Sequence, residues 1–231
     1  EPGTHQLRIV PIKGSESFPF ITLKHYYKFG STMTSPVSYD ESAVDPVIDF
    51  AKELVATKGD EVKKALGKKL FPANRWYVLA VVRGREEDGV RFWGIGWKNY
   101  KALLATIDDP DYGDITDPKV GRDLKVTVQS KEQTGTDYGD TTFIVKPNQT
   151  PLSTDKELAQ SWLKNQPNIE VAYPPAKEDD LIKALDKFMT SSNKTKGTSD
   201  KEQKQIKSEV DKAQTGINKS QQNNAIADLE K

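Results

Sequence analysis

One stretch constrains this chain more than any other. Arg75-Trp76-Tyr77-Val78-Leu79-Ala80-Val81-Val82-Arg83 is followed by Val90-Arg91-Phe92-Trp93-Gly94-Ile95-Gly96-Trp97-Lys98-Asn99-Tyr100-Lys101-Ala102. The first run is apolar and rich in β-branched and aromatic residues, as strands are. Arg85 to Gly89 is a charged turn, and Val90 to Trp97 is the return strand. From Lys98 to Ile107 the apolar residues Tyr100, Leu103, Leu104 and Ile107 recur at helical spacing. A hairpin that leads straight into an amphipathic helix predicts a sheet with helices packed on it. Three of the four tryptophans fall in this stretch, with basic residues between them. Aromatic faces for bases and cations for phosphates are what single-stranded nucleic acid needs.

Charge is segregated along the chain although its formal sum is zero. Asp60 to Lys101 carries ten basic residues against five acids, a local excess of five. Asp108 to Asp140 is net acidic. The expectation is one basic face on an otherwise neutral molecule. Hydrophobic residues are 35% of the chain and the mean hydropathy is −0.69, which predicts a solvated tail beside the core.

Several chemistries lack their residues. There is no cysteine, so disulfides and thiolate metal sites are excluded, and a zinc site would have to rely on His5, His25 and carboxylates. Nucleophilic triads have little material in two histidines. Gly59 to Lys68 is spaced too widely for a phosphate-binding loop, and Lys69 stands where a hydroxyl would hold Mg²⁺. The acidic run Asp108 to Pro118 lacks the Gly and closing Glu of a calcium loop. Gly94-Ile95-Gly96 lacks the third Gly of a dinucleotide motif and predicts a bulge or close backbone approach. No apolar run reaches the ~18 residues of a membrane span, and no signal peptide is visible. Asn148, Asn193 and Asn218 head chance matches to the glycosylation pattern. The chain opens at Glu1, not Met, and sequence is expected beyond the given ends.

Elsewhere, His5–Ile12 alternates as a strand, with Leu7 and Ile9 on one side and Gln6, Arg8 and Val10 on the other. Phe18–Phe29 reads as a longer strand. Helices are expected at 43–57, with Val44 in its apolar stripe, and at Asp60–Leu70, with Asp60 as N-cap and Val62, Ala65 and Leu66 as its apolar side. Arg122–Ser130 and Thr141–Lys146 are strands joined by a turn. Thr154–Asn165 and Lys177–Met189 read as helices, with Trp162 in the core. From Thr190 onward the composition is polar and the apolar stripes are thin. The expected fold is α+β: a small Greek-key barrel, most simply an OB-fold. Its core would span 5–150 with a helical insertion at about 43–70. A helical extension at 151–190 would pack on that core, and 191–231 would form a polar tail, in part helical.

A resemblance to a known family covers roughly His5 to Met189. Leu7-Arg8-Ile9-Val10-Pro11, Pro19-Phe20-Ile21 through His25, and Trp76 through Arg83 resemble core strands of the single-stranded DNA-binding (helix-destabilising) proteins of T-even bacteriophages. Tyr39-Asp40 and Asp45-Pro46-Val47-Ile48 resemble the start of that family's metal-binding subdomain. Trp93-Gly94-Ile95-Gly96-Trp97-Lys98-Asn99-Tyr100 resembles its aromatic, glycine and lysine motif at a strand-to-helix junction. Thr134 to Phe143, with Tyr138-Gly139-Asp140, resembles a hairpin carrying stacking aromatics, and Asn165-Gln166-Pro167-Asn168-Ile169 a segment after the barrel. The chain departs from the family where Asp45-Pro46-Val47-Ile48 replaces a Cys-Pro-x-Cys zinc element. The family's histidine ligand corresponds to His25. The departure implies a zinc-free member in which the helix at 43–57 supplies apolar packing instead.

The resemblance implies a non-catalytic protein without cofactor or metal. It would bind single-stranded DNA without sequence preference and cooperatively, in DNA replication, recombination and repair. Its partners would be DNA, other copies of itself, and replication and recombination proteins recruited by the C-terminal tail; its place would be the cytoplasm of an infected bacterial host, with no membrane association. The stacking candidates are Trp76, Trp93, Trp97 and Tyr138. The phosphate candidates are Lys68, Lys69, Arg75, Arg83, Arg91 and Lys98. A tryptophan in a strand can equally be core, and Trp97 or Tyr100 can equally anchor the helix. The first rival reading is a phage structural or protein-interaction module on the same barrel; the second is a nuclease or other DNA-modifying enzyme, whose Mg²⁺ carboxylates would have to come from the Asp-rich loop at Asp108 to Asp117.

Overall fold

The computed structural model describes residues 1–15 and 19–195. The protein is mixed α+β, and its chain divides into two compact units, Glu1–His25 with Ala73–Pro175, and Tyr26–Pro72 with Ala176–Lys231. The expected tail helices beyond residue 195 lie outside the described residues.

The first unit is built on β1 (Gly3–Val10), β2 (Ile21–Tyr26, which ends at the unit's boundary), β4 (Ala73–Val82), β5 (Arg91–Ile95), β6 (Arg122–Gln129) and β7 (Asp140–Gln149). β4 is its central strand. One edge of β4 holds β2 over Ala73–Tyr77 and then β1 over Leu79–Val82. The other edge pairs with β5, setting Val78 against Trp93 and Ala80 against Arg91. β1 then pairs with β6, and β6 with β7, all antiparallel. Among the described residues no ladder joins β5 to β7, so the sheet stays open where a closed barrel was expected.

Both faces of this sheet are covered. On one, Leu7, Ile9, Trp76, Val78, Leu124 and Val126 pack with Leu103 of α3 (Trp97–Ile107) and with Ile115. On the other, Val10, Leu79 and Val81 pack with Leu152 and with Trp162 of α5 (Lys156–Lys164). That double cover explains β4, whose continuous apolar run is the mark of a strand buried on both faces. It also explains β1, where both alternating sets are buried, including Arg8 at 0% exposure. The turn expected between β6 and β7 contains α4 (Lys131–Thr134), closed at its start by a reciprocal Ser130–Gln133 capping box. The proline-rich segment after α5 contains α6 (Ile169–Ala172).

The second unit holds the short strand β3 (Met33–Thr34), α1 (Pro46–Ala56), α2 (Glu61–Leu70) and α7 (Glu178–Thr195). Val47, Ala51 and Leu54 of α1 bury against Tyr26, Leu70, Leu181, Leu185 and Met189. Asp60 caps α2 as expected, accepting from the Lys63 amide at 2.9 Å. Val44 and Val62, read as apolar-stripe residues, are instead exposed at 61% and 78%. Gly67 and Leu70 make the buried side of α2. Among the described residues no helix is long and apolar enough to cross a membrane.

Candidate nucleic-acid interface

β4 sorts the candidates by parity, because alternate residues of a strand face opposite ways. Trp76 shares a face with Val78, while Arg75 and Arg83 fall on the opposite face with Leu79 and Val81. Arg75 lies along β5 and donates from Nη2 to the Gly94 carbonyl at 2.7 Å. A Cβ on Gly94 would sit 3.3 Å from the Arg75 Nε and 3.0 Å from the Tyr77 ring. The Gly-Ile-Gly sequence therefore serves a close approach.

Arg83 and Asp123 form a fork, with Arg83 Nη2 at 2.9 Å from Asp123 Oδ1 and Nη1 donating to the Leu152 carbonyl at 2.7 Å. Arg8, wholly buried, adds a second cation 3.8 Å from Asp123. Gln6 donates to the same carboxylate at 2.6 Å. Burial pushes the Asp123 carboxyl upward, but the Arg83 and Gln6 hydrogen bonds and the two arginine charges outweigh it and hold it below the usual range. Burial lowers the Arg8 guanidinium against the pull of Asp123. Arg75 and Arg83 are thus engaged in holding strands together, on the face away from Trp76.

Trp76 is 9% exposed and lies against Tyr100 of α3, with ring centres 4.4 Å apart and planes 13° from parallel. Trp97 continues the array, 5.7 Å from Tyr100 and 5.5 Å from Trp76. Phe20 closes the buried side, edge-on to Tyr100 at 5.0 Å. Trp97 is the member that reaches solvent, 57% exposed, with Lys101 Nζ 5.2 Å from its ring centre. Next to it, Lys98 pairs with Asp140 at 2.8 Å, and Asn99 donates to the Thr141 carbonyl at 2.7 Å. These contacts pin the first turn of α3 to the start of β7. The Lys98 ammonium holds the exposed Asp140 carboxyl below its ordinary value. Tyr138, just before β7, is 81% exposed.

Trp93 is half-buried and braced edge-on by Phe143 of β7 at 6.3 Å. It lines a cleft of about 310 Å³ with His5, Leu7, Val82, Arg85, Arg91, Val126, Val128 and Glu1. The structure thus brings together Trp76 with Trp97, and Trp93 with Arg91. Lys68 and Lys69 are exposed on the last turn of α2 in the second unit. Lys101, Phe143, Arg85 and His5 were missed in the sequence. Val126 and Val128 alternate on β6, and the register of β1, β4, β5 and β6 brings them to this face.

His25, matched above to a zinc ligand, is fully buried, and its Nε2 lies 2.8 Å from the Tyr77 hydroxyl. Where the zinc element would stand, Asp45 is 2% exposed and acts as a hydrogen-bond hub. It accepts from the Tyr26 hydroxyl at 2.9 Å, from the Ser35 hydroxyl, and from the Val47 and Ile48 amides at the start of α1. Burial beside Asp45 raises the Tyr26 phenol well above its usual range. Comparison with models of known protein families, and with curated proteins, gave no match.

Proposed function

We propose that the protein binds single-stranded DNA without sequence preference, through the edge of the first unit formed by α3, β5 and the β6–β7 hairpin. The observation that carries this reading is Trp97: a large aromatic left open to solvent at the end of a buried stack, flanked by Lys98 and Lys101. A base stacked on such a platform gains about 1–3 kcal/mol whatever its identity. Tyr138, Trp93 and Arg91 extend the surface, and on this reading the open antiparallel sheet is the platform of an OB-like fold. Cooperative assembly along DNA in phage replication, recombination and repair, in the cytoplasm of the bacterial host, belongs to the same proposal, as does a non-catalytic role. Recruitment of other proteins by the tail falls outside the described residues.

The test is a tryptophan-fluorescence titration with oligo-dT against duplex DNA. Quenching by the single strand that reverses with salt supports the reading. No quenching at low salt sinks it. One observation favours the protein-interaction alternative: Trp76, Tyr100 and Phe20 satisfy one another, so part of the aromatic array is scaffold. Salt-independent association with a protein, and none with DNA, would decide for that alternative.

A further inference from the structure

The cleft beside Trp93 is built for more than a stacking surface. Its volume, about 310 Å³, lies at the small end of ligand pockets. Leu7, Val82, Val126 and Val128, from three adjacent strands, make an apolar floor, and Trp93 makes a wall. Two cations stand at its mouth. Arg85 and Arg91 each lie within ion-pair distance of Asp88, at 2.9 and 3.0 Å. Asp88 is not among the lining residues, whereas both arginines are. The side chains of Arg85 and Arg91 are 49% and 56% exposed. A guanidinium has five N–H donors, more than Asp88 occupies on either. Among the described residues the one acid lining the cleft is Glu1, whose largely exposed carboxylate lies 4.0 Å from Arg85. His5 adds a ring whose Nε2 lies 3.0 Å from the Glu1 carbonyl. Arg91 and Trp93 sit two residues apart on one face of β5, a separation of about 6–7 Å along a strand. That is about the reach from a phosphate to the base it carries.

We propose that this cleft takes one nucleotide unit, its base against Trp93 and the apolar floor and its phosphate on Arg85 and Arg91, with Glu1 displaced from Arg85. The inference rests on the single-strand reading above and narrows it to a discrete subsite. The same chemistry is offered by a nucleotide within a strand, by a 5′-phosphorylated strand end, and by a free mononucleotide.

The test uses the full chain, calorimetry and tryptophan fluorescence. The probes are dTMP, thymidine, inorganic phosphate, and dT8 with a 5′-phosphate or a 5′-hydroxyl. Expected are saturable binding of dTMP at least tenfold tighter than thymidine or inorganic phosphate, and at least a tenfold loss in the Arg85→Gln/Arg91→Gln double variant. Both side chains are exposed enough for that variant to fold. Trp93→Ala should weaken dTMP binding and lose most of its quenching. An equal loss on both dT8 probes in the double variant assigns the subsite to nucleotides within a strand. A loss confined to the phosphorylated probe assigns it to a strand end; either upholds the subsite. If dT8 binds but dTMP does not saturate, or binds the double variant equally well, the subsite is overturned and the single-strand reading stands. Inorganic phosphate as tight as dTMP also overturns it. Arginine-dependent dTMP binding without dT8 binding keeps the pocket and overturns the single-strand reading, and binding of neither overturns both.

Discussion

Trp76 and Trp97 separate scaffold from surface within a single aromatic stack. Trp76 is buried, and Trp76→Ala should cost about 3–5 kcal/mol of stability, the usual range for emptying a core aromatic site. Trp97 is more than half exposed, so Trp97→Ala should leave the denaturation midpoint nearly unchanged while weakening oligo-dT binding by about 1–3 kcal/mol. Urea melts and fluorescence titrations on the same two variants check both statements; equal stability losses would mean that Trp97 is core as well. Asp123 gives a second pair of predictions. Removing it strands Arg8 and Arg83, and Asp123→Ala should cost about 3–5 kcal/mol at neutral pH, as breaking a buried pair does. Its folded-state pKa is depressed, so its stabilisation is present above the unfolded carboxylate value near ~3.9 and is lost as pH falls through the lower folded value. Melts at pH 7 and in steps below pH 4 should show the gap between wild type and Asp123→Ala closing with acid.

At the level of elements, the β4–β5–α3 passage was legible because it combines a continuous apolar run, a charged turn and a helical stripe. Asp60 as N-cap and Trp162 as core were legible for similar reasons. Arg8 was not: an arginine in an alternating strand reads as solvent-facing until the sheet proves to be covered on both sides. The fates of Arg75 and Arg83 were hidden for the same reason, since their partners Gly94 and Asp123 are set by strand register and not by sequence distance. Nor did the sequence show that α2 turns Gly67 inward in place of Val62. There a Cβ would stand 2.8 Å from the Ala51 carbonyl oxygen and 2.9 Å from Leu54 Cβ. Gly67→Ala should therefore destabilise the α1–α2 pair by about 1–3 kcal/mol, the cost of overpacking, despite the gain in helix propensity. A rise in melting temperature for that variant would show that the helices can spread without penalty.

For the whole molecule, zero net charge says little about partners, because charge is local. If oligo-dT neutralises Lys98, Lys101, Arg85 and Arg91, log K should fall with log salt at a slope of roughly −3, about −0.7 for each phosphate on a single strand. A flat salt dependence would place the DNA contacts elsewhere. The division of the chain has a consequence for synthesis. The second unit takes Tyr26–Pro72 early and Ala176 onward late, with most of the first unit encoded between. Tyr26, Val47 and Leu54 are buried partly by Leu181, Leu185 and Met189, so the half made first cannot finish its core until α7 leaves the ribosome. At roughly 5–20 residues per second, that half waits on the order of ten seconds with an apolar face uncovered. During that interval a nascent chain is a target for holdase chaperones, and truncation before α7 would make the exposure permanent.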